Sequence, residues 1–293
     1  MGSSPSPTFI SVVATVKNER SHIAQLLESL LAQEGPFEVV VVDALSHDGT
    51  WDILRTYAAA HPALIRVAQK YGSRGIGRNA AVAHARGEFV AFIDGDCFAD
   101  SRWLAEIRAA LREGDVAAGE TKAVGSASYG ALERVELFQR GNDVTYPSCN
   151  LGYRRSLFLA LGGFDPRFIT AEDIDLNLRA VERGATIRFA PRAIVNHQMR
   201  ATFVRFLLQA FWNGYGRKQL TEKHGSLWGN YRVRRLMSNQ KTLISWIRLV
   251  AALAGYFCRV LTGFGERLAP GVAAGAPREN ESGTPDGSAG RAS

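Results

Sequence analysis

The stretch Glu88-Phe89-Val90-Ala91-Phe92-Ile93-Asp94-Gly95-Asp96 decides the fold of this chain. Phe89–Ile93 is a continuous apolar run, the pattern of a strand buried on both faces of a parallel sheet. It stops on two acids one residue apart. Charge at the end of such a strand belongs in the ligand crevice of an open α/β sheet, beyond the carboxyl ends of the strands. Two carboxylates there suit a hard divalent cation, and the cation suits a diphosphate. The pattern points to a nucleotide-activated substrate. Taken alone, Asp-x-Asp fits a solvated acidic loop equally well.

Outward from this strand, elements alternate. Phe9–Val16 predicts a buried strand, and Ser21 a cap for a helix with the stripe Ile23, Leu26, Leu27, Leu30, Leu31. Phe37–Val42 predicts a strand ending on Asp43, and Asp48-Gly49-Thr50 opens a helix through Ile53, Leu54 and Tyr57. Ala63–Ala68 reads as a strand, Gly75–Arg86 as a helix, Ser101 as the cap of a helix through Leu111, and Val116–Ala118 as a short strand. Repeated β-α units specify an α/β fold with a single doubly wound, mostly parallel sheet flanked by helices. The pattern then loosens. Tyr129–Arg140 reads as a helix, Cys149–Tyr153 as extended, Gly162–Pro166 as a turn and Glu172–Arg183 as a helix. Ile187–Ala190 and Ala193–Asn196 read as two short strands leading to His197.

Charge divides the chain. Residues 1–197 carry 21 Lys/Arg against 23 Asp/Glu, whereas 198–270 carry 12 Lys/Arg against Glu222 and Glu266 alone. The basic excess sits in a segment after the core and suits an anionic lipid, phosphorylated substrate or nucleic acid. Cys97, Cys149 and Cys258 form no CxxC pair, which argues against a disulfide framework or zinc site. Residues 1–8 are small and polar, unlike a signal peptide, so a flexible N-terminus and a cytoplasmic catalytic region are expected. Residues 269–293, poor in large apolar side chains, are expected to be disordered.

Several further residues are suited to chemistry. Glu172, Asp173 and Asp175 open a helix; its dipole explains one or two acids, and a carboxylate beside a cleft is also a good general base. His197 ends a short strand, where a neutral imidazole can complete a metal shell begun by Asp96. Asp43 is either a turn-former or an acceptor for a base N–H. Arg74 and Arg78 fit a solvated basic loop or a phosphate contact; Gly75-x-Gly77 is too short for the dinucleotide fingerprint.

Four stretches in order resemble the family 2 glycosyltransferases, which have the GT-A fold. They are SVVATVKNE (Ser11–Glu19), VVVVDALSHDGT (Val39–Thr50), RNAAVAHARGEFVAFIDGDC (Arg78–Cys97) and GGFDPRFITAEDIDLNLRAVERG (Gly162–Gly184). The resemblance implies a GT-A domain at 9–198, followed by a basic amphipathic helical extension at 199–268. It implies a nucleotide-sugar donor, most simply a UDP-sugar, bound by Thr15, Glu19, Asp43, Arg74, Arg78, Asp94, Asp96 and Glu172. It implies Mg²⁺ or Mn²⁺ on Asp96 with His197, and Asp173 as the catalytic base of an inverting transfer to a hydroxyl acceptor. Thr15 and Ala44 depart from the common pattern. Gln209-Ala210-Phe211-Trp212 lacks the Arg of the QxxRW motif of processive synthases, which favours addition of one sugar. Glu120, Asn150 and Glu172 are expected near the donor sugar.

In the extension, Phe203, Phe206, Leu207, Ala210 and Phe211 form one apolar stripe, framed by Arg200, Arg205, Arg217 and Lys218. Trp246, Ile247, Val250, Leu253, Ala254 and Phe257 form another. The uninterrupted apolar run Leu249–Cys258 is shorter than the ~20 residues a span needs. With Arg232, Arg234, Arg235 and Lys241 nearby, it reads as an interfacial helix at the inner face of the cell membrane, suited to a lipid-linked or cell-envelope acceptor. Packing on the core and a homodimer contact are the alternatives. A nucleotidyltransferase would need glycine in Thr15–Glu19, which has none. A nucleic-acid binder would leave the acids unexplained, so no nucleic-acid partner is expected. A non-catalytic sugar-nucleotide binder would not need Asp96, Asp173 and His197 together.

Overall fold

The structure is a computed structural model that describes residues 8–125, 135–198, 202–225, 227 and 242–268. The chain runs β1 (Ile10–Val16), α1 (Ile23–Leu31), β2 (Phe37–Asp43), α2 (Thr50–Ala60), β3 (Ile65–Gln69), α3 (Arg74–His84), β4 (Phe89–Asp94), β5 (Cys97–Ala99), α4 (Trp103–Glu113) and β6 (Val116–Val124). It continues through β7 (Phe138–Gln139), β8 (Asn142–Asp143), β9 (Leu151–Arg154), α5 (Arg155–Ala160), α6 (Glu172–Glu182), β10 (Ile187–Gln198), α7 (Phe203–His224) and α8 (Leu243–Leu268).

Eight strands form one sheet in the order β3-β2-β1-β4-β9-β6-β10-β5. The pairs β3-β2, β2-β1, β1-β4 and β6-β10 are parallel, and β9 and β5 are antiparallel to their neighbours. Alternation along β1 explains the layers, since successive side chains leave opposite faces of a strand. Val12 and Ala14 pack with Leu26, Leu27, Trp103 and Ile107 of α1 and α4. Val13 packs with Val82 of α3 and with Phe92, Phe158, Phe164 and Leu176 on the other face. Each large side chain buried this way contributes roughly 1.5–3 kcal/mol.

The register also makes the crevice. Thr15 pairs with Asp94 on one side and Val42 on the other, and Val16 pairs with Asp43. Chain order reverses at β1, which has β2 on one side and β4 on the other, so the strand ends open there.

Several expected local features differ. Neither Ser21 nor Ser101 caps a helix; α1 and α4 begin at Ile23 and Trp103 without a side-chain cap. The two strands expected before His197 are one strand, β10, with an irregularity between Ala190 and Ile194, so His197 lies inside pairing with Cys97 and Ala123. The expected helix Tyr129–Arg140 falls partly outside the described residues. Its end is instead the β7-β8 hairpin, turned by Arg140 (φ 46°) and Gly141 (φ 78°), the paired positive angles a two-residue hairpin loop requires. Ser148–Asn150 is a 3-10 turn before β9. The expected flexible residues 1–7, the tail 269–293, Arg200, Arg232, Arg234, Arg235 and Lys241 lie outside the described residues.

The two extension helices pack on each other. A Cβ on Gly214 would meet the Ala252 carbonyl oxygen at 1.7 Å, and one on Gly255 the Phe211 oxygen at 1.8 Å, so both glycines permit backbone contact. Arg259 Nε lies 3.0 Å from Glu222 Oε2 across the pair. Leu243–Gly263, 21 residues, is long and apolar enough to cross a membrane by length and composition. This corrects the shorter span counted from the sequence, which treated Arg248 and Arg259 as its limits.

Candidate active site

A cleft of about 200 Å³ opens at the ends of β1, β2 and β4. Thr15, Glu19, Arg74, Asp94 and Asp96 line it, with Val16, Lys17, Ala44, Gly72 and Gly95. Gly95 is required by proximity, because a Cβ there would stand 2.8 Å from Val16 Cγ1 and 2.9 Å from Glu19 Cγ. Gly77 of α3 lies equally close to β1; its Cβ would stand 2.2 Å from Thr15 Oγ1.

Asp43 is fully buried behind Ala44. Its carboxylate accepts from Ser46 N at 3.0 Å, from the Ser46 hydroxyl, and from Gln69 Nε2 at 2.8 Å. Three donors leave little of its acceptor capacity for a ligand.

Arg78 does not reach the cleft. It is fully buried beneath it, where Nη2 donates to Asp94 Oδ1 at 2.5 Å and Nη1 donates to Glu172 Oε1 at 3.0 Å. Burial alone would lower its pKa, but the charges of Asp94 and Glu172 more than offset this, so the guanidinium is held above its ordinary value. Its face covers the Phe164 ring at 5.4 Å. The next residue, Asn79, grips the Phe164 backbone, donating to its oxygen at 2.8 Å and accepting from its nitrogen at 2.9 Å. Arg78 and Asn79 thus tie α3 to the Gly162–Pro166 turn and to the start of α6. Arg74 stays exposed, 3.7 Å from Glu172 Oε1.

Glu172 is buried, and Asp173 faces the 3-10 turn, accepting from Ser148 N at 3.1 Å and Ile174 N at 2.8 Å. Burial first, then the charge of Glu172, pushes the Asp173 carboxyl up to about 6. That is a useful range for a general base. Ser148 was not foreseen, because no local pattern marks a backbone donor 25 positions from its partner. Asn150 proves structural: its amide accepts from Trp103 Nε1 and donates to the oxygens of Glu120 and Ala193.

His197 Nε2 lies 3.4 Å from Asp96 Oδ2. The hydrogen bond that His197 donates to the Asp96 carboxylate raises the imidazole to about 9 against the opposing effect of burial. Asp96, Cys97 and His197 place their ligand atoms within 4.8 Å of one another. Cys97 is buried beside Cys149; that thiol contact, then burial, pushes the thiol far up, so it stays protonated. The Asp96 carboxylate oxygen is a donor that fits Mg²⁺ or Mn²⁺, and the His197 nitrogen would join it once a bound cation displaces its proton.

The family model for glycosyl transferase family 2 matches residues 11–161, just over half of the chain. The chain belongs to glycosyl transferase family 2. A second model, glycosyl transferase family group 2, matches residues 89–266 and so includes the extension. This family 2 enzyme is 29% identical over 226 residues to glycosyltransferase AglE of Haloferax volcanii, covering 72% of this chain and 74% of that one. It is 37% identical over 109 residues to the poly(ribitol-phosphate) beta-N-acetylglucosaminyltransferase TarS of Staphylococcus aureus, covering 35% of this chain but only 19% of TarS. The crystal structure of TarS 1-349 with UDP-GlcNAc superposes with a TM-score of 0.56 at 24% identity, over 86% of this chain and 81% of that one. The mannosyltransferase PcManGT of Pyrobaculum calidifontis, solved with GDP-Man and Mn²⁺, gives 0.57 at 20% identity, over 91% and 83%. These superpositions show the GT-A fold.

Proposed function

We propose that this glycosyltransferase moves one sugar from a UDP-sugar to a hydroxyl acceptor with inversion at the anomeric carbon. The observation that carries this reading is a cleft lined by Asp94 and Asp96 and tied from beneath, through Arg78, to Glu172, the residue before Asp173. Thr15, Glu19 and Arg74 hold the nucleotide, with Asp43 shaping the wall behind Ala44. The UDP-GlcNAc complex of TarS supports a uridine donor, and the Mn²⁺ complex of PcManGT supports a metal. Asp96 and His197 would hold Mg²⁺ or Mn²⁺, which when bound neutralises charge on the diphosphate.

Asp173 takes the proton from the acceptor hydroxyl. The hydroxyl oxygen bonds to the anomeric carbon while the bond from that carbon to the diphosphate oxygen breaks, releasing a nucleoside diphosphate. The transition state has oxocarbenium character, as in glycoside hydrolysis, but one carboxylate suffices because the leaving group needs no proton.

The acceptor is proposed to be lipid-linked or part of the cell envelope. On α8, Leu243, Trp246, Val250, Leu253, Phe257 and Leu261 repeat every three to four residues and are 44% to 76% exposed. Phe203, Val204, Leu208 and Trp212 of α7 are exposed as well. The net charge of the same segment, with 12 basic residues against two acids, complements an anionic lipid surface. An interfacial position on the cytoplasmic leaflet fits better than a span, since α7 sets Lys218 and Glu222 against α8, where Glu222 pairs with Arg259.

Titration calorimetry with a panel of nucleotide sugars, with and without Mn²⁺, tests the donor site. Binding of a UDP-sugar that depends on Mn²⁺ is expected. Metal-independent binding, or preference for another nucleotide, overturns the donor assignment.

A further inference from the structure

The extension helix α7 reaches the catalytic helix at two places. Gly216 lies against the residues immediately before α6: a Cβ there would stand 2.7 Å from Thr170 Cγ2, 2.9 Å from Thr170 O and 3.1 Å from Ala171 Cβ. Ala171 has φ 63°, a left-handed angle that costs a non-glycine residue on the order of 1 kcal/mol and persists only where surrounding packing enforces it. Two turns further along α7, Lys223 Nζ and His224 Nε2 lie 2.7 and 2.8 Å from Asp175 Oδ1. Asp175 is fully buried in the first turn of α6, two residues after Asp173, and its other oxygen is 2.8 Å from Arg179 Nη2.

The contacts form one rigid assembly. Lys223 Nζ also lies 2.7 Å from Asp165 Oδ2, in the turn that Asn79 grips. Leu220, fully buried, packs with Phe168, Ala171, Ile174 and Leu178, its position in α7 falling between Gly216 and Lys223. Burial alone would push the Asp175 carboxyl up. The hydrogen bonds from His224 and Lys223 and the charge of Arg179 reverse this and keep it ionised. A buried carboxylate held by three cationic or hydrogen-bonding groups on two helices fixes the rotation of the helix that bears it. Asp173, on the same turn, is fixed with it.

We propose that α7 is a positioning element for the catalytic base, with Lys223 and His224 acting through Asp175, and Gly216 acting on Thr170 and Ala171, to hold the Asp173 carboxylate against the Ser148 turn. None of these residues touches substrate. The proposal rests on Asp173 being the base, and it makes the lipid-facing extension part of the machinery that sets catalytic rate.

The test uses the full chain and the hydrolytic turnover of UDP-N-acetylglucosamine with Mn²⁺, or of the UDP-sugar selected by the calorimetric panel, water taking the acceptor's place. Lys223→Met and His224→Leu are expected to lower kcat by about 10- to 100-fold, the cost of a misplaced reacting group, with donor Kd within about twofold of the parent. Lys223→Arg is expected to recover most of the loss. The proposal is overturned if Lys223→Met and His224→Leu keep kcat, or if lost kcat follows weakened donor binding and lowered Tm in equal measure. Should Lys223→Met fail to fold, His224→Leu and Lys223→Arg decide by the same criteria. Asp173→Asn separates the two readings: turnover retained there removes the base assignment, whereas turnover lost there but kept in both α7 variants removes the positioning role alone.

Discussion

Arg78 donates to Asp94 at 2.5 Å from a fully buried position, while its second terminal nitrogen donates to Glu172. The acid at the end of β4 and the acid at the start of α6 are therefore held by one cation.

Removing that cation leaves two carboxylates facing each other in a partly dry environment. Arg78→Met is expected to destabilise the fold by about 3–5 kcal/mol, as when one partner of a buried ion pair is lost. Arg78→Lys is expected to recover only part, since an ammonium lacks the fork that reaches both acids. Denaturant unfolding reads both values, and a loss below about 1 kcal/mol for Arg78→Met counts against the bridge.

Asp173, the proposed base, has its carboxyl raised to about 6 and accepts a proton only when ionised. Turnover is expected to rise with pH through about 6 and then level, falling roughly tenfold per unit below it. Glu172→Gln removes a neighbouring negative charge and is expected to move this limb to lower pH. The stability effect has the opposite sign to that of a paired carboxylate. Between the ordinary value of 3.8 and about 6 the folded protein binds the extra proton, so this group's contribution to stability falls as pH rises through that window. Asp173→Asn is thus expected to abolish turnover, keep donor binding, and gain stability at pH 7 but not at pH 4. A pH-independent rate between 5 and 8 would contradict the assignment.

Gly77→Ala places a methyl group where Thr15 Oγ1 stands, at 2.2 Å. A loss of about 1–3 kcal/mol is expected, together with weaker donor binding, because Thr15 lines the cleft. Thr15→Ala added to Gly77→Ala is expected to return part of both. A strictly additive double-mutant cycle would show that the two sites do not couple.

Val250 and Phe257 lie on the exposed stripe of α8. Val250→Glu with Phe257→Glu is expected to abolish co-sedimentation with vesicles containing phosphatidylglycerol, leaving Tm and donor affinity unchanged. Binding of the parent protein is expected to weaken with salt, which screens the basic segment. Failure of the parent to bind anionic vesicles removes the lipid-surface reading.

Local signals served unevenly along the chain. The β-α alternation of residues 9–118 was legible because apolar runs and helical stripes each report burial within a few residues. β10 was read as two strands because Pro191 and the irregularity after Ala190 interrupt the pattern. The hairpin at Arg140 was missed because a helix-compatible composition gives no warning of two positive φ angles. In the site, Asp94 and Asp96 were legible as the end of a buried strand. Arg78 was not legible as a buried bridge, because its partner Glu172 is 94 residues away.

The sequence by itself determined the doubly wound α/β class, the edge at which the acids gather and the order of the four family motifs. Each of these follows from the period of apolar residues along a single strand or helix. Only the tertiary structure decided that Arg78 lies under the cleft, that His197 meets Asp96 from within a strand, and that α7 clamps the turn carrying Asp173. Those contacts depend on sheet register and helix packing between segments far apart in the chain, and no local periodicity encodes which distant side chain will fill a given buried position.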